Sequence, residues 1–206
     1  MDREPRGREA VEAALIDAAA EVLAAEGPRS ASVREIARRA GVNHGQVHHY
    51  FGSKRALLAA AMRQLATEHF ANATRRAGGG PIPPPLTLDE DDRYWQAVIR
   101  LVLDGELEIA RAEIAEGVSV PRRALHALAA AVGLDEADPS LKARVAATVA
   151  LQLGWAALSE FVLAVTDVTD AERVEVREMV ADLALRIVTL TLLDAPGVHD
   201  PEAATR

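Results

Sequence analysis

The sequence predicts an all-α protein with an N-terminal three-helix domain, built on a helix-turn-helix, and a larger C-terminal helical domain. Three observations carry this. Apolar residues recur at spacings of three and four in nearly every segment, the period of a helix with one buried face. Residues that cap helices stand before these segments, and Gly or Pro stands after them. Half of the 206 residues are hydrophobic but only 3% are aromatic, so the core must be mostly Ala, Leu and Val. That length suits two domains.

The first helix is expected over residues 8–25, with Val11, Leu15, Ala18 and Val22 as its buried stripe and Gly27-Pro28 as its stop. Ser32 then opens a second helix, with Glu35 three residues on as the other half of a capping box. Val33, Ile36, Ala37 and Ala40 supply the apolar face, and Gly41 ends the helix because glycine enters the left-handed region cheaply. Asn43 is the next expected cap, with Gln46 closing a second box. The helix it opens runs over residues 44–50 and is anchored by Val47 and Phe51. Gly52 breaks the chain, and Ser53 caps a helix continuing to about residue 75. Two short capped helices joined by a glycine turn form the helix-turn-helix at 32–51, which sets its second helix in the major groove of DNA.

This segment resembles the N-terminal domain of TetR-type transcriptional regulators. The matching residues are Ile36-Ala37, Ala40-Gly41-Val42, Gly45, Tyr50-Phe51, Lys54 and Leu57. The chain departs from most relatives at His48, where they carry a tyrosine that contacts phosphate; a histidine there has a pH-dependent charge. The resemblance implies a homodimeric regulator, most often a repressor, whose dimer is a four-helix bundle made from the last two helices of each chain.

The net charge of −8 divides unevenly. Between Arg29 and Arg63 seven basic residues face one acid, Glu35, whereas from Gly79 onward 11 basic residues face 22 acidic ones. A basic patch over a helix-turn-helix is the footprint of phosphate binding, and an acidic remainder keeps off the duplex. The DNA-contacting set expected from motif and charge is Ser32, Arg34, Arg39, Asn43, His44, Gln46, His48, His49 and Lys54. Gln46 either reads adenine in the major groove or only completes its cap. His44 and His48, four apart, have a spacing that chelates metal. No carboxylate or cysteine on the same helix completes a site, so no metal and no cofactor are expected.

The DNA-binding domain is therefore assigned to residues 8–76, and a Gly/Pro-rich linker to 77–86. An effector-binding and dimerisation domain follows at 87–194, then a tail at 195–206. GGGPIPPPL at 78–86 cannot be helix. Beyond it, helices are expected over 89–103, around Leu107, Ala110 and Ile114, from Ser119 to Gly133, from Asp138-Pro139 to about 165, and over 170–193. The last of these is apolar on more than one face. Val176, Val180, Leu183, Ile187 and Leu190 form one stripe, which points to a partner subunit. Gln152, Trp155 and Ser159 share a face of the penultimate helix, and with Trp95 they are candidates for an effector pocket. Their alternative place is the core or the dimer seam. So few aromatics favour a small, aliphatic effector over a flat polyaromatic one.

Enzyme readings find no footing. There is no phosphate-cradling glycine loop, no G-x-S-x-G and no H-E-x-x-H. The absence of cysteine excludes disulfides and thiolate chemistry. The first fifteen residues are charged and no unbroken apolar run reaches about 18 residues, so neither a signal peptide nor a membrane span is expected and the location expected is cytoplasmic. The function expected is a repressor released from a palindromic operator by a small molecule. The alternative is a DNA-binding protein answering to a protein partner, or acting architecturally.

Overall fold

The computed structural model describes residues 7–80, 82–86 and 91–193, with side chains to Thr189. The described residues form ten α-helices and no strand. They are α1 (Arg8–Ser30), α2 (Val33–Arg39), α3 (Gly45–Phe51), α4 (Lys54–Arg76) and α5 (Asp92–Leu103), followed by α6 (Leu107–Ala110), α7 (Ala112–Ala115), α8 (Val120–Val132), α9 (Pro139–Val165) and α10 (Arg173–Leu193). The chain divides into two compact units. One holds α1–α3, α4 as far as Asn72, and α5–α7. The other holds the end of α4, the following loop and α8–α10.

In the first unit the expected stripe of α1 is buried, and Leu23 joins it. Ile36 and Ala37 of α2, Val47 of α3, and Leu57, Leu58, Met62 and Leu65 of α4 complete this core. The chain is non-helical at Gly27 (φ 80°), as the Gly-Pro stop requires, and then adds a last turn from Pro28 to Ser30. The helix of α5 packs along α1 with Ala97 and Leu101 fully buried. Arg100 donates to the carbonyl of Ala24 at 2.8 Å, and Arg93 pairs with Asp17 at 2.9 Å.

That packing groups the helices differently from the assigned domains. The Gly/Pro-rich segment breaks the helix, but the next three helices rejoin the N-terminal unit, because α5 covers an apolar face of α1. Residues 91–119, assigned from sequence to the C-terminal domain, therefore group with the helix-turn-helix. The region around Leu107 is not one helix but two four-residue pieces, interrupted at Arg111 (ψ 9°). The start expected at 89 lies outside the described residues, as do the side chain of Leu190 and the tail.

In the second unit Leu128, Ala129, Leu141, Val145 and Val188 form the core, with Ile82, Leu125, Val132 and Val149 packed against it. Asp138 caps α9 as expected, accepting from Ser140 N at 2.8 Å and from Leu141 N at 3.4 Å. The Ser119 hydroxyl, just before α8, donates to Glu113. Helix α9 is long and apolar enough to cross a membrane by length and composition, which a count of unbroken apolar residues did not reveal. A helix buried from several sides in a bundle has the same composition.

Candidate nucleic-acid interface

The helix-turn-helix is held by local capping. Ser32 Oγ accepts from Glu35 N at 3.1 Å, the expected N-cap of α2. The reciprocal half of the box is not formed, because the Glu35 carboxylate takes Arg38 and Arg39 at 2.7–2.8 Å. At the other end Gly41 has φ 67°, Gly41 N donates to Arg38 O, and Val42 N donates to Ala37 O. This double closure is the Schellman motif, and it sets the angle at which the chain enters α3.

Asn43 acts one residue earlier than a conventional cap. Its Oδ1 accepts from Gly45 N at 2.9 Å, and His44 occupies the N-cap position. A Cβ at Gly45 would lie 3.3 Å from that same oxygen, so the small residue keeps the turn closed. The second capping box is not formed either. Gln46 is half-buried, and its Oε1 is shielded from solvent with no hydrogen-bond partner. His44, His48 and His49 are exposed. The Nδ1 of His48 lies 3.3 Å from the carbonyl of Gly52, and His49 meets the Tyr50 ring edge-on at 4.8 Å.

The basic residues are less available than their number suggests. Lys54 is half-buried, and its Nζ donates to the carbonyls of Pro28 and Ala31, both at 3.0 Å. It ties the end of α1 to the start of α4. Arg39 pairs with Glu26 at 2.6 Å as well as with Glu35. Arg29 pairs with Asp104, Arg55 with Glu106, and Arg63 with Glu116. Acids from the α5–α7 segment thus neutralise three of the seven cations counted in the patch. Arg34 is exposed and meets no partner among the described residues. Arg39 and Lys54, both expected at the DNA, thus make bracing contacts in the free chain, each with an acid or carbonyl from elsewhere in the unit.

Glu35 carries a pH signature. The hydrogen bond from Arg38, followed by that from Arg39, lowers its carboxyl from 4.5 to about 2. A depressed carboxylate contributes stability that is complete above the ordinary value and is lost as pH falls through the lowered one. In a carboxyl-carbon NMR titration, Glu35 is expected to protonate near pH 2, and Arg38→Ala to move that midpoint upward. A Glu35 midpoint near 4.5 in the wild-type protein would contradict the clamp.

Sequence reading missed a buried polar cluster in the same unit. His69 on α4 and Asp91 before α5 are 6% and 4% exposed. The Nδ1 of His69 lies 3.0 Å from Asp91 Oδ2, and Asn72 donates to Asp91 Oδ1 at 2.6 Å. Tyr94 stacks flat on His69 with centroids 4.1 Å apart, while its hydroxyl donates to Glu113, which also accepts from Ser119. Burial, reinforced by the Glu113 charge, pushes the Tyr94 phenol well above its ordinary value. Trp95 meets both rings edge-on, each at 5.1 Å. A cleft of about 240 Å³ opens beside them, lined in part by Leu65, His69, Asn72, Asp91 and Tyr94. The available signal was His69, a lone imidazole among the apolar residues of α4. The acidic run at 89–92 gave no sign that Asp91 is buried. Of the four expected effector residues, Trp95 belongs to this unit. Gln152, Trp155 and Ser159 are half-buried on α9 in the other.

Comparison with known proteins agrees with this architecture. Residues 15–73 match the family described as bacterial regulatory proteins, tetR family. An HTH-type transcriptional repressor of Mycobacterium tuberculosis (strain ATCC 25618 / H37Rv) is 30% identical over 188 residues, 89% of this chain and 92% of that protein. The HTH-type transcriptional regulator BetI of Rhizobium meliloti (strain 1021) is 50% identical over 52 residues, 25% of this chain and 26% of its own. A tetR-family transcriptional regulator from Streptomyces coelicolor has the same fold, with a TM-score of 0.63 at 19% identity over 91% of this chain and 84% of that one. With its capped helix-turn-helix, its all-α fold and a repressor related over nearly its whole length, the chain belongs to the TetR family of transcriptional regulators.

Proposed function

We propose that the protein is a repressor that binds a palindromic operator as a homodimer and is released by a small-molecule effector. The observation that carries the DNA-reading part is the pattern of commitment on the head. Ser32 and the Gly41 closure orient α3, and Lys54 and Arg39 brace it. Arg34, His44, Gln46, His48 and His49 are left to meet DNA. Gln46, whose buried oxygen lacks a partner, is the candidate base reader. Asn43 and Ser32 contribute by holding backbone amides in place.

Footprinting tests this reading directly. A repressor protects one short palindrome, and an architectural protein protects broadly. Because most arginines of the head are paired internally, the salt dependence of binding is expected to be shallower than seven cations per head would give. Each phosphate neutralised contributes about −0.9 to the log–log slope. Arg34→Ala should reduce the slope by about that amount per head, while Arg63→Ala should leave it unchanged. Equal slopes for Arg34→Ala and wild type would remove Arg34 from the interface.

The His69–Asp91–Tyr94 cleft supports the effector part, because convergent polar groups beside an aromatic wall suit a small ligand. Release follows if the ligand prefers a conformation whose two heads are mis-spaced for the operator. The same ligand must then bind less tightly to the DNA complex than to the free protein, since the coupling is reciprocal. A ligand at this cleft should quench or shift Trp95 emission in a Trp155→Phe background. A ligand using Gln152, Trp155 and Ser159 should do so in a Trp95→Phe background.

A further inference from the structure

The second unit carries a groove that neither DNA binding nor the effector cleft uses. It lies between α8 and α9, encloses about 390 Å³ and is lined in part by Leu125, Val145, Ala146, Val149, Ala150 and Leu153. Its wall on α9 is a stripe at spacings of three and one, from Lys142 to Leu153. At about 1.5 Å per residue this makes a straight trough roughly 16 Å long. Almost no polar atom faces it. A peptide backbone or a sugar laid there would lose its hydrogen bonds to water and regain none. No aromatic ring lines it, so nothing stacks on a flat ligand. The buried part of an occupant must therefore be a hydrocarbon chain.

The charge at its rim sets the other end. The protein has 31 acidic residues, yet none falls within Gly117–Leu134 or Pro139–Ser159. These stretches carry Arg122, Arg123, Lys142 and Arg144 instead. The acids nearest in sequence, Asp135, Glu136 and Asp138, lie in the turn between the helices. Asp135 accepts from Ala137 N, Glu136 pairs with His126, and Asp138 caps α9. Lys142 is one of two lysines in the chain, is exposed, and has no ion pair among the described residues. An apolar trough in an acidic protein, bordered by the exposed Lys142 and by Arg122, with no carboxylate among its described lining residues, is complementary to one chemistry.

We propose that the α8/α9 groove is a binding site for a free single-chain anionic amphiphile: an alkyl chain lies along Leu125, Val145, Val149 and Leu153, and a carboxylate head meets Lys142 and Arg122. The site stands apart from operator recognition. A protein that reads its operator but does not bind such a molecule refutes the proposal, and binding without operator recognition leaves it intact.

The test uses the full chain, labelled at valine and leucine methyls, titrated with decanoate below its micelle concentration, with decanol and with decyltrimethylammonium. Decanoate is expected to shift the methyls of Val145, Val149, Leu125 and Leu153. Decanol should bind at least tenfold more weakly, and the cationic amphiphile more weakly still. Lys142→Glu should weaken decanoate at least tenfold and narrow or reverse that order. Ala146→Trp, at an exposed position, should fill the trough and abolish decanoate binding while circular dichroism stays helical; Ala150→Trp replaces it if that variant unfolds.

Any of the following results would overturn the proposal. One is no methyl shift with decanoate. A second is equal affinity for decanoate and decanol together with an unchanged Lys142→Glu. A third is binding that survives both tryptophan variants. The fourth is a groove already covered by a second copy, seen as dissociation of the protein by Ala146→Trp. Shifts produced by anionic phospholipid vesicles but not by monomeric decanoate would likewise replace the free ligand with a membrane surface.

Discussion

Lys54→Met is expected to lower the thermal midpoint of the DNA-free protein by several degrees while leaving the salt slope of operator binding nearly unchanged. The resemblance and the local charge both suggest that Lys54 holds a phosphate. Its Nζ instead donates to Pro28 O and Ala31 O, the two carbonyls where α1 ends and the chain turns to the Ser32 cap. Methionine keeps the apolar stem and removes the donor. Each partly buried carbonyl left unpaired costs about 1–3 kcal/mol. For a domain of this size 1 kcal/mol shifts the midpoint by roughly 2–4 °C. Because the entry to α2 loosens, operator affinity should fall through a less ordered head, so the loss should shrink on cooling. Differential scanning calorimetry of wild type and variant, beside binding measured at several salt concentrations, separates the roles. A phosphate ligand would lower the slope by about 0.9 and leave the midpoint in place. That pattern would restore the phosphate role and remove the bracing one.

What the sequence made legible was local. Ser32, Ser53 and Asp138 cap their helices as expected, because an N-cap is decided within three residues. The closure at Gly41 was legible for the same reason. What failed was pairing at long range. Counting residues gave the head seven cations, but Arg29, Arg55 and Arg63 meet Asp104, Glu106 and Glu116, acids 51 to 75 residues away for the first two pairs. Net charge by segment cannot reveal which charges are already spent. The grouping of α5 with α1 was hidden for a similar reason. A Gly/Pro run shows where a helix must stop, not which unit the next helix joins, and α5 returned to α1. Asp91 looked like one more acid of a solvated first turn. It became a buried partner because His69 and Asn72 present donors one turn apart on α4. The half-formed capping box at α2 belongs to the same class, since Glu35 found two guanidinium groups to hold in place of a backbone amide.

The largest effect on operator affinity should come from residues far from DNA. In one chain α9 and α10 expose Phe161, Val165, Met179 and Leu183, with Phe161 64% and Leu183 55% accessible. Large apolar side chains left this open mark a surface for association. From the expected stripe of α10, Leu183 is exposed and Val176, Val180 and Ile187 are half-buried, while the buried anchors are Ala184 and Val188. A helix that turns one row of side chains to its own core and another to solvent predicts opposite outcomes for charges placed four or five residues apart. Leu183→Glu and Phe161→Glu should cost a single chain little, since the carboxylate stays in water. In a symmetric bundle each would meet apolar neighbours from the second copy without a partner charge, at a cost of several kcal/mol. The expected result is folded, helical monomers by sedimentation velocity. Operator affinity should fall about 10²–10⁴-fold, because two half-sites then bind as separate heads rather than linked ones. Val188→Glu should instead unfold the second unit, because it buries an unpaired charge in the core of one chain. If Leu183→Glu and Phe161→Glu remain dimers with full affinity, or if the wild-type protein sediments as a monomer, the exposed face of α9 and α10 is not the seam.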